Sequence, residues 1–202
     1  SPEPPTGAED AKTFTFDPND PLPTLGGANM TIKSGPFDQR PVYTERTDYL
    51  RFTTAPLEAP MEITGRVKVR LSVSSDAPDT DFTAKLVDIY PEGDSREILM
   101  LDSIRRVKTR LGYDKVAPLL TGPEQVVEIE VDLQSISCVF NTGHRIGLYI
   151  SSSNYPRFDI NPNTGNDFAT AEAPARPARN TVHIDATHPS AIILPVRPAA
   201  TE

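Results

Sequence analysis

Hydrophobic and polar residues alternate strictly along three segments of the chain, and this period of two is typical of a β-strand with one buried face. In the first segment, Arg66–Ser74, every second residue is apolar: Val67, Val69, Leu71 and Val73. The segments Val127–Leu133 and Arg145–Ile150 alternate in the same way. Weaker strand patterns lie at Thr13–Phe16, Tyr49–Thr53, Phe82–Tyr90, Glu97–Leu101, Ile104–Thr109, Thr181–Ile184 and Ala191–Leu194. We therefore expect roughly ten short strands.

Turn-forming residues separate these segments. The chain has 21 prolines, about twice the average share, and nearly all lie between patterned segments, as expected where strands are short. No segment has the long apolar stripe of an amphipathic helix. These features predict an all-β fold of two packed antiparallel sheets, a sandwich or jelly roll, and 202 residues suffice for one such domain.

The two cleanest alternating segments carry opposite charges on their polar faces. The basic row is Arg66, Lys68 and Arg70, and the acidic row is Glu128, Glu130 and Asp132. If these strands pair, opposite charges lie across from one another. We expect the rows to set the register of the pair more than its stability, because exposed ion pairs contribute little.

The charge and cysteine content exclude several classes of function. The 28 acidic residues outnumber the 20 Lys and Arg, and the net charge of -8 argues against a nucleic-acid partner, which needs clustered positive charge. Apolar residues make up 37% of the chain, but no apolar run is longer than Ala191–Leu194, so a soluble globular domain is predicted rather than a membrane span. Cys138 is the single cysteine, which excludes an internal disulfide and a multi-cysteine zinc cluster. Its apolar neighbours predict an inert, buried thiol.

The sequence contains no recognisable catalytic motif. A serine hydrolase of the α/β type places its nucleophile in a Gly-x-Ser-x-Gly turn between a strand and a helix. The only glycines at that spacing are Gly143 and Gly147, and the residue between them is Arg145. Glycine-rich phosphate loops, His-Glu-x-x-His helices and EF-hand loops are absent as well. We therefore assign no catalytic residue.

Carboxylate and amide side chains concentrate in two loops, at Asp76, Asp79, Asp81, Asn154, Asp159 and Asn161. Such loops suit Ca²⁺ or sugar hydroxyls, but Asp and Asn are also ordinary turn residues, and Arg157 or Lys85 could neutralise buried members of the set. We favour the structural network. Each loop follows a serine run, so both should emerge at one end of the sandwich, with Asp81 held in a hydrogen-bonded junction.

The three histidines lie in turn or strand contexts without a serine partner. For His144, anchoring the start of the strand Arg145–Ile150 is favoured over catalysis, because no nucleophile context accompanies it. His183, Asp185 and His188 could offer two imidazoles and a carboxylate to a metal, but their spacing is not that of a common site and no fourth ligand is indicated. A surface loop held by residues 188–190 is the favoured interpretation, and no metal is assigned.

Several motifs follow one another along the chain: Phe16-Asp17-Pro18, Pro21–Gly27, Asp38-Gln39-Arg40, Ser74–Gly93, Gly143–Ile146, Ser151–Asp159, His188-Pro189-Ser190 and Leu194-Pro195. In content and order they resemble the C-terminal β-domain of the X-Pro dipeptidyl-peptidase and cocaine-esterase-like (CocE/NonD) serine hydrolases. The resemblance extends from about Phe14 to Val196, nearly the whole chain.

The resemblance implies a jelly roll similar to galactose-binding modules, within an enzyme that hydrolyses an amide or an ester through an acyl-enzyme. The family carries its Ser, Asp and His in an upstream α/β-hydrolase domain, so this domain would be non-catalytic and would need no metal or organic cofactor. Residues 1–12 would be a linker from that domain, 13–198 the jelly roll and 199–202 a tail. The upstream domain is the expected partner, and a homo-oligomer is compatible with the resemblance.

The resemblance also implies roles for particular residues. In the family the early loop lies near the active-site cleft, and Gly26 and Gly27 would let its backbone approach another surface closely. The predicted substrate-cleft residues are Leu25, Ala28, Asn29 and Met30. The structural motif positions are Asp79, Asp81, His144, Arg145, Asn154 and Arg157.

Two other classes of protein stay open at this point, a free-standing carbohydrate-binding module and a protein-interaction module. The chain has no Trp, and its six Tyr and eight Phe are spread along it, which argues weakly against stacking on sugar rings. The sequence leaves open whether the parent enzyme acts on peptides or esters, and whether it is cytoplasmic or secreted.

Overall fold

The computed structural model describes residues 3, 5–7, 10–30 and 32–198, which form two antiparallel β-sheets. The strands are β1 (Ala11–Phe16), β2 (Leu50–Thr53), β3 (Met61–Ser75), β4 (Asp81–Ile89), β5 (Glu97–Arg106), β6 (Val127–Phe140), β7 (Arg145–Ser151), β8 (Ala178–His183) and β9 (Ala191–Ile193). Between them lie one short helix, α1 (Arg40–Tyr43), and a 3-10 turn at Val107–Thr109. Within the described part of the chain, no helix has the length and hydropathy needed to cross a membrane.

The strands are ordered as in a jelly-roll sandwich. The first sheet has the order β1-β8-β3-β6, with β9 also paired to β3, and the second has the order β2-β7-β4-β5. All pairings between these strands are antiparallel. The predicted all-β, two-sheet jelly roll is therefore confirmed. One edge of β3 pairs with two strands in succession, with β8 along Ser72–Ser75 and with β9 along Lys68–Arg70.

The main core lies between the two sheets and follows the alternation in the sequence. The first sheet contributes Val67, Val69, Leu71, Val73, Ile129, Val131 and Leu133, all buried. The second sheet contributes Phe82, Ala84, Leu86, Ile146 and Ile150. Burial of each large side chain contributes about 1.5–3 kcal/mol, so this layer is the main source of stability.

The outer face of the second sheet is covered as well. Every residue of β4 is buried, and so are Gly147 and Tyr149 on the face of β7 that alternation predicted to be exposed. The cover is the segment between β1 and β2, and a second apolar cluster joins it to the sheet through Leu22, Tyr43, Val87, Ile89 and Tyr149. The prediction of a half-buried β7 was wrong because a segment about 100 residues earlier covers its outer face.

The outer face of the first sheet carries the predicted charge rows. β3 pairs with β6, with Lys68 opposite Asp132 and Arg70 opposite Glu130. Arg66 forms an ion pair with Asp132, and Lys68 Nζ lies 2.7 Å from Glu130 Oε1. The hydrogen bond from Lys68 lowers the pKa of Glu130. The predicted pairing of the two strands is confirmed, although Glu128 lies opposite Ser72 and not opposite a base.

Two predicted strand boundaries need correction. The segments 97–101 and 104–109 were predicted as separate strands because Asp102 and Ser103 are polar, but β5 runs through both residues and ends at Arg106. Asp102 is tolerated inside a strand because side chains described below satisfy its carboxylate. β8 begins at Ala178, inside the stretch 171–179 that was predicted to be a surface loop.

The start of the chain and the single cysteine also differ from expectation. β1 begins at Ala11, within the predicted linker 1–12, and Gly7 and Asp10 accept backbone hydrogen bonds from Ala186 and Ile184. Residues 1, 2, 4, 8 and 9 of that linker, and the predicted tail 199–202, lie outside the described residues. Cys138 is half-buried rather than buried, and burial raises the pKa of its thiol.

Candidate substrate-cleft loop

Two of the predicted motif residues, Asp79 and Asp81, are buried at the junction that leads into β4. Asp81 Oδ1 accepts hydrogen bonds from Arg106 Nε at 2.8 Å and from Asn161 Nδ2 at 2.9 Å. Asp79 accepts from the backbone N–H of Lys108 at 2.9 Å, and burial raises the pKa of its carboxyl group. The predictions that Asp81 is shielded from water and that the two oxygen-rich loops form one unit are confirmed.

The cation that neutralises this junction is not one of those predicted. Arg106 lies directly opposite Asp81 across the β4–β5 pair and forms the ion pair with it. Arg157 and Lys85, which were expected to fill this role, contact other groups. Asp76 and Asp159 are exposed, so the six oxygen-bearing residues do not converge on one point. The arrangement is the structural network that the sequence favoured over a calcium site.

The two serine runs meet at the same end of the sandwich, as predicted. Asn180 of β8 joins them, because its Oδ1 accepts from Ser75 Oγ at 2.6 Å and its Nδ2 donates to Ser152 Oγ at 2.7 Å. Asn180 is completely buried and was not identified from the sequence. In the sequence, Asn180 alternates with Ala178 and Val182, which are both buried in the structure. This alternation is the one sequence signal for a buried polar residue at this position.

His144 and Arg145 anchor the other end of the second sheet. His144 Nδ1 lies 2.8 Å from Asp88 Oδ1, and Arg145 donates to the backbone carbonyl of Thr54 at 2.9 Å. The structural role predicted for His144 is confirmed.

The predicted substrate-cleft residues lie on one loop, residues 25–35, which we call the cleft loop. Its base is closed by two backbone hydrogen bonds between Gly27 and Gly35, at 2.8 and 3.1 Å. Asn29 shapes the interior of the loop, because its Nδ2 donates to the Gly26 carbonyl at 2.7 Å and its Oδ1 accepts from the Ile32 N–H at 2.9 Å. Met30 is fully exposed, with a relative exposure of 101%. Ala28 is also exposed and Leu25 is half-buried, whereas Thr31 lies outside the described residues.

A buried ion pair forms the floor of the cleft loop. Asp102 pairs with Arg157 and also accepts from Asn154 Nδ2 at 2.7 Å, and we call these three residues the loop floor. Gly27, with φ of +81°, lies directly above it, and a β-carbon at this position would lie 2.8 Å from Asp102 Oδ1. Glycine is therefore required both by the backbone conformation and by the close approach to the floor.

A buried lysine and glutamine connect the cleft loop to β4. Lys85 Nζ donates to Gln39 Oε1 at 3.0 Å, and Gln39 Nε2 donates to the carbonyls of Leu25 at 2.9 Å and Phe37 at 3.1 Å. Gln39 thus contacts the chain on both sides of the loop. Burial lowers the pKa of Lys85 to about 8. Neither residue was predicted to support the loop, although Gln39 belongs to the Asp38-Gln39-Arg40 motif.

Residues 3–193 match the family described as the X-Pro dipeptidyl-peptidase C-terminal non-catalytic domain. The chain belongs to this family. It is 43% identical over 194 residues to the cocaine esterase of Rhodococcus sp. (strain MB1 Bresler), covering 95% of this chain and 33% of that protein.

Two solved structures show the same fold over nearly the whole chain. An alpha-amino acid ester hydrolase matches with a TM-score of 0.84 and 28% identity, over 96% of this chain and 34% of that chain. An aminopeptidase from a marine sediment Thaumarchaeota archaeon matches with a TM-score of 0.83 and 28% identity, over 95% and 34%. The chain therefore spans about a third of the length of the relatives it matches. It corresponds to a non-catalytic part of such enzymes.

Proposed function

We propose that this non-catalytic domain packs against an upstream α/β-hydrolase domain and presents the cleft loop at the border of that domain's substrate cleft. The observation that carries the proposal is the fully exposed Met30 on a loop whose base is fixed by Gly27 and the loop floor. A flexible apolar side chain on a rigid base suits contact with varied apolar groups.

A second group of exposed apolar side chains supports packing against another domain. Two loops that touch each other through Lys108 and Gly165 carry Leu111, Tyr113, Val116, Leu119 and Phe168, all well exposed. The Asp79 and Asp81 junction fixes the first of these loops, because Asp79 binds the Lys108 N–H. Segment 154–161 links this junction to the loop floor through Asn161 and Asn154. Hydrogen bonds through segment 154–161 therefore link the loops with the exposed apolar side chains to the floor of the cleft loop.

In the proposed enzyme, the upstream domain supplies the serine nucleophile, its base and the oxyanion hole, and hydrolysis runs through an acyl-enzyme. The cleft loop would contact the acyl or leaving group of the substrate without touching the reacting carbonyl. Such contacts alter the ratio of kcat/KM values between substrates and leave the chemical step intact. The identity to a cocaine esterase makes esters the first substrate class to test, with amides second.

The test compares the 202-residue chain with the full-length enzyme on a phenyl ester and a chromogenic X-Pro amide. The chain alone should show no turnover, because it lacks a nucleophile elbow. In the full-length enzyme, Met30→Ala should change the ratio of kcat/KM between small and bulky acyl esters by about tenfold, as expected for a lost apolar contact. The matched control is Val139→Ala, which removes an apolar side chain that is 50% exposed on β6.

Turnover by the isolated chain would place the chemistry in this domain and refute the proposal. If Met30→Ala leaves every substrate ratio unchanged, as Val139→Ala should, the cleft loop is not at the substrate cleft and its residues are part of the scaffold alone.

A further inference from the structure

The loop between β8 and β9 is fastened to the edge of β3 that these two strands share, in the first sheet, whereas the cleft loop lies against the second sheet. It begins after His183, which lies opposite Ser72 of β3, and ends at Ala191, opposite Arg70. Ser190 Oγ donates to the His183 carbonyl at 2.6 Å and accepts from the Ser72 N–H at 3.0 Å. The predicted loop held by residues 188–190 is confirmed. Its backbone is fixed at both ends.

Three side chains that can bind a metal converge on this loop. One ligand atom each from His183, Asp185 and His188 lies within 4.8 Å of the other two. Asp185 Oδ1 and His188 Nδ1 are 3.7 Å apart, and the two imidazole rings have centroids 5.6 Å apart. Asp185 is buried, whereas the His188 side chain is 41% exposed, so the cluster has a solid base and a side open to solvent.

Hydrogen bonds orient two of the three side chains. Asp185 Oδ1 accepts from the N–H groups of Thr187 at 2.7 Å and His188 at 2.8 Å, and a carboxylate keeps further lone pairs for a cation. His183 Nε2 lies 3.0 Å from Ser74 Oγ, so His183 has the serine partner that its sequence context did not show. Ser74 is buried within β3 and has no elbow geometry, so it is not a nucleophile. A second hydrogen-bonding group of this kind commonly orients a metal-binding imidazole.

We propose that His183, Asp185 and His188 bind one Zn²⁺ ion. Two imidazole nitrogens and one carboxylate oxygen form a three-ligand zinc set, with water in the fourth position. Tetrahedral zinc requires its ligand atoms to be roughly 3.3–3.5 Å apart, given bonds of about 2.0–2.1 Å. Asp185 Oδ1 and His188 Nδ1, 3.7 Å apart, are already close to this spacing. Rotation of the exposed His188 side chain can shorten the remaining separations between ligand atoms. The ion would tie the end of β8 to the loop that precedes β9.

Calorimetry and thermal unfolding test this site. The 202-residue chain, free of any affinity tag and treated with a chelator, is titrated with Zn²⁺. We expect one ion per chain and a rise in Tm of roughly 5–10 °C when free Zn²⁺ exceeds Kd about 100-fold. This readout does not depend on the proposed hydrolase activity, because the cluster and the cleft loop lie on opposite sheets.

Two variants separate ligation from other effects. His188→Gln should weaken Zn²⁺ binding by at least about 100-fold, since it removes a direct ligand, and should leave the metal-free Tm unchanged because the side chain is exposed. Thr187→Ala, in the same loop, should bind Zn²⁺ like the parent chain. The proposal is overturned if the chain binds no stoichiometric Zn²⁺, if His188→Gln binds it as tightly as the parent, or if Thr187→Ala loses affinity equally.

Discussion

Ion pairs lie on the outer faces of both sheets, but they differ sharply in burial. On the first sheet, Arg66 and Asp132 keep 56% and 26% of their side chains exposed. Beneath the cleft loop, on the second sheet, Arg157 and Asp102 keep only 16% and 3%. The segment between β1 and β2 causes this difference, because it covers one sheet and leaves the other open to water.

Exposed and buried ion pairs therefore have different roles in this fold. The exposed rows match β3 to β6 in register and contribute little energy each, because water and salt screen them. The pair of Arg157 and Asp102 belongs to the loop floor, where an unpaired charge would be costly. Burial makes the loop floor a rigid support for the cleft loop.

Removing one partner from each pair should give the largest contrast. Asp102→Ala leaves the half-buried Arg157 without its carboxylate and should lower the free energy of unfolding by about 3 kcal/mol. Asp132→Ala, its matched control on the first sheet, should lower it by at most about 1 kcal/mol. Urea unfolding of the 202-residue chain measures both. Equal losses for the two variants would show that the floor is not energetically distinct from the exposed rows.

The buried Lys85 should give a smaller effect that depends on pH. The pKa of Lys85 is about 8 in the folded chain, against 10.5 for an ordinary lysine, so the unfolded chain holds more protons between these values. The free energy of unfolding should therefore rise with pH, by about 2 kcal/mol between roughly pH 7.5 and 9.5. Above about pH 10 the trend should reverse, because burial raises the pKa of Tyr43 and ionisation then favours the unfolded chain.

The control for this prediction is Lys85→Met, which removes the titrating amine. Its free energy of unfolding should show no such rise over the same pH window. A flat profile for the parent chain, or an equal slope in the variant, would mean that Lys85 does not titrate in the folded state as described.

The difference in burial between the outer faces of the two sheets also explains which features could be predicted from the sequence. β3 and β6 face water on one side, so their alternation and their charge rows predicted the strands, their pairing and their ion pairs. The local sequence of β7 does not reveal that its outer face is covered, because the covering segment lies far away in the chain. The sequence predicted a break after Leu101 because Asp is common in the turns between strands, whereas β5 continues through Asp102.

The candidate site was predictable only in part, for the same reason. Gly26, Gly27 and the family motifs located the cleft loop. Three residues that hold these loops in place, Gln39, Arg106 and Asn180, were missed. Each forms a hydrogen bond with a residue 14 to 105 positions away. No local pattern encodes such contacts. The cluster of His183, Asp185 and His188 depends on β8 and β9 sharing one edge of β3, which also requires the fold.

The most direct test of the central claim is the accessibility of residue 30. The variant Met30→Cys, in a Cys138→Ser background, is labelled with a thiol reagent in the 202-residue chain, in the full-length enzyme, and in the full-length enzyme whose nucleophilic serine carries a bulky phosphonate. The account predicts the fastest labelling in the chain alone, slower labelling in the full-length enzyme and the slowest with the phosphonate bound. Equal labelling rates in all three states would contradict it, because the cleft loop would then lie away from both the upstream domain and the substrate.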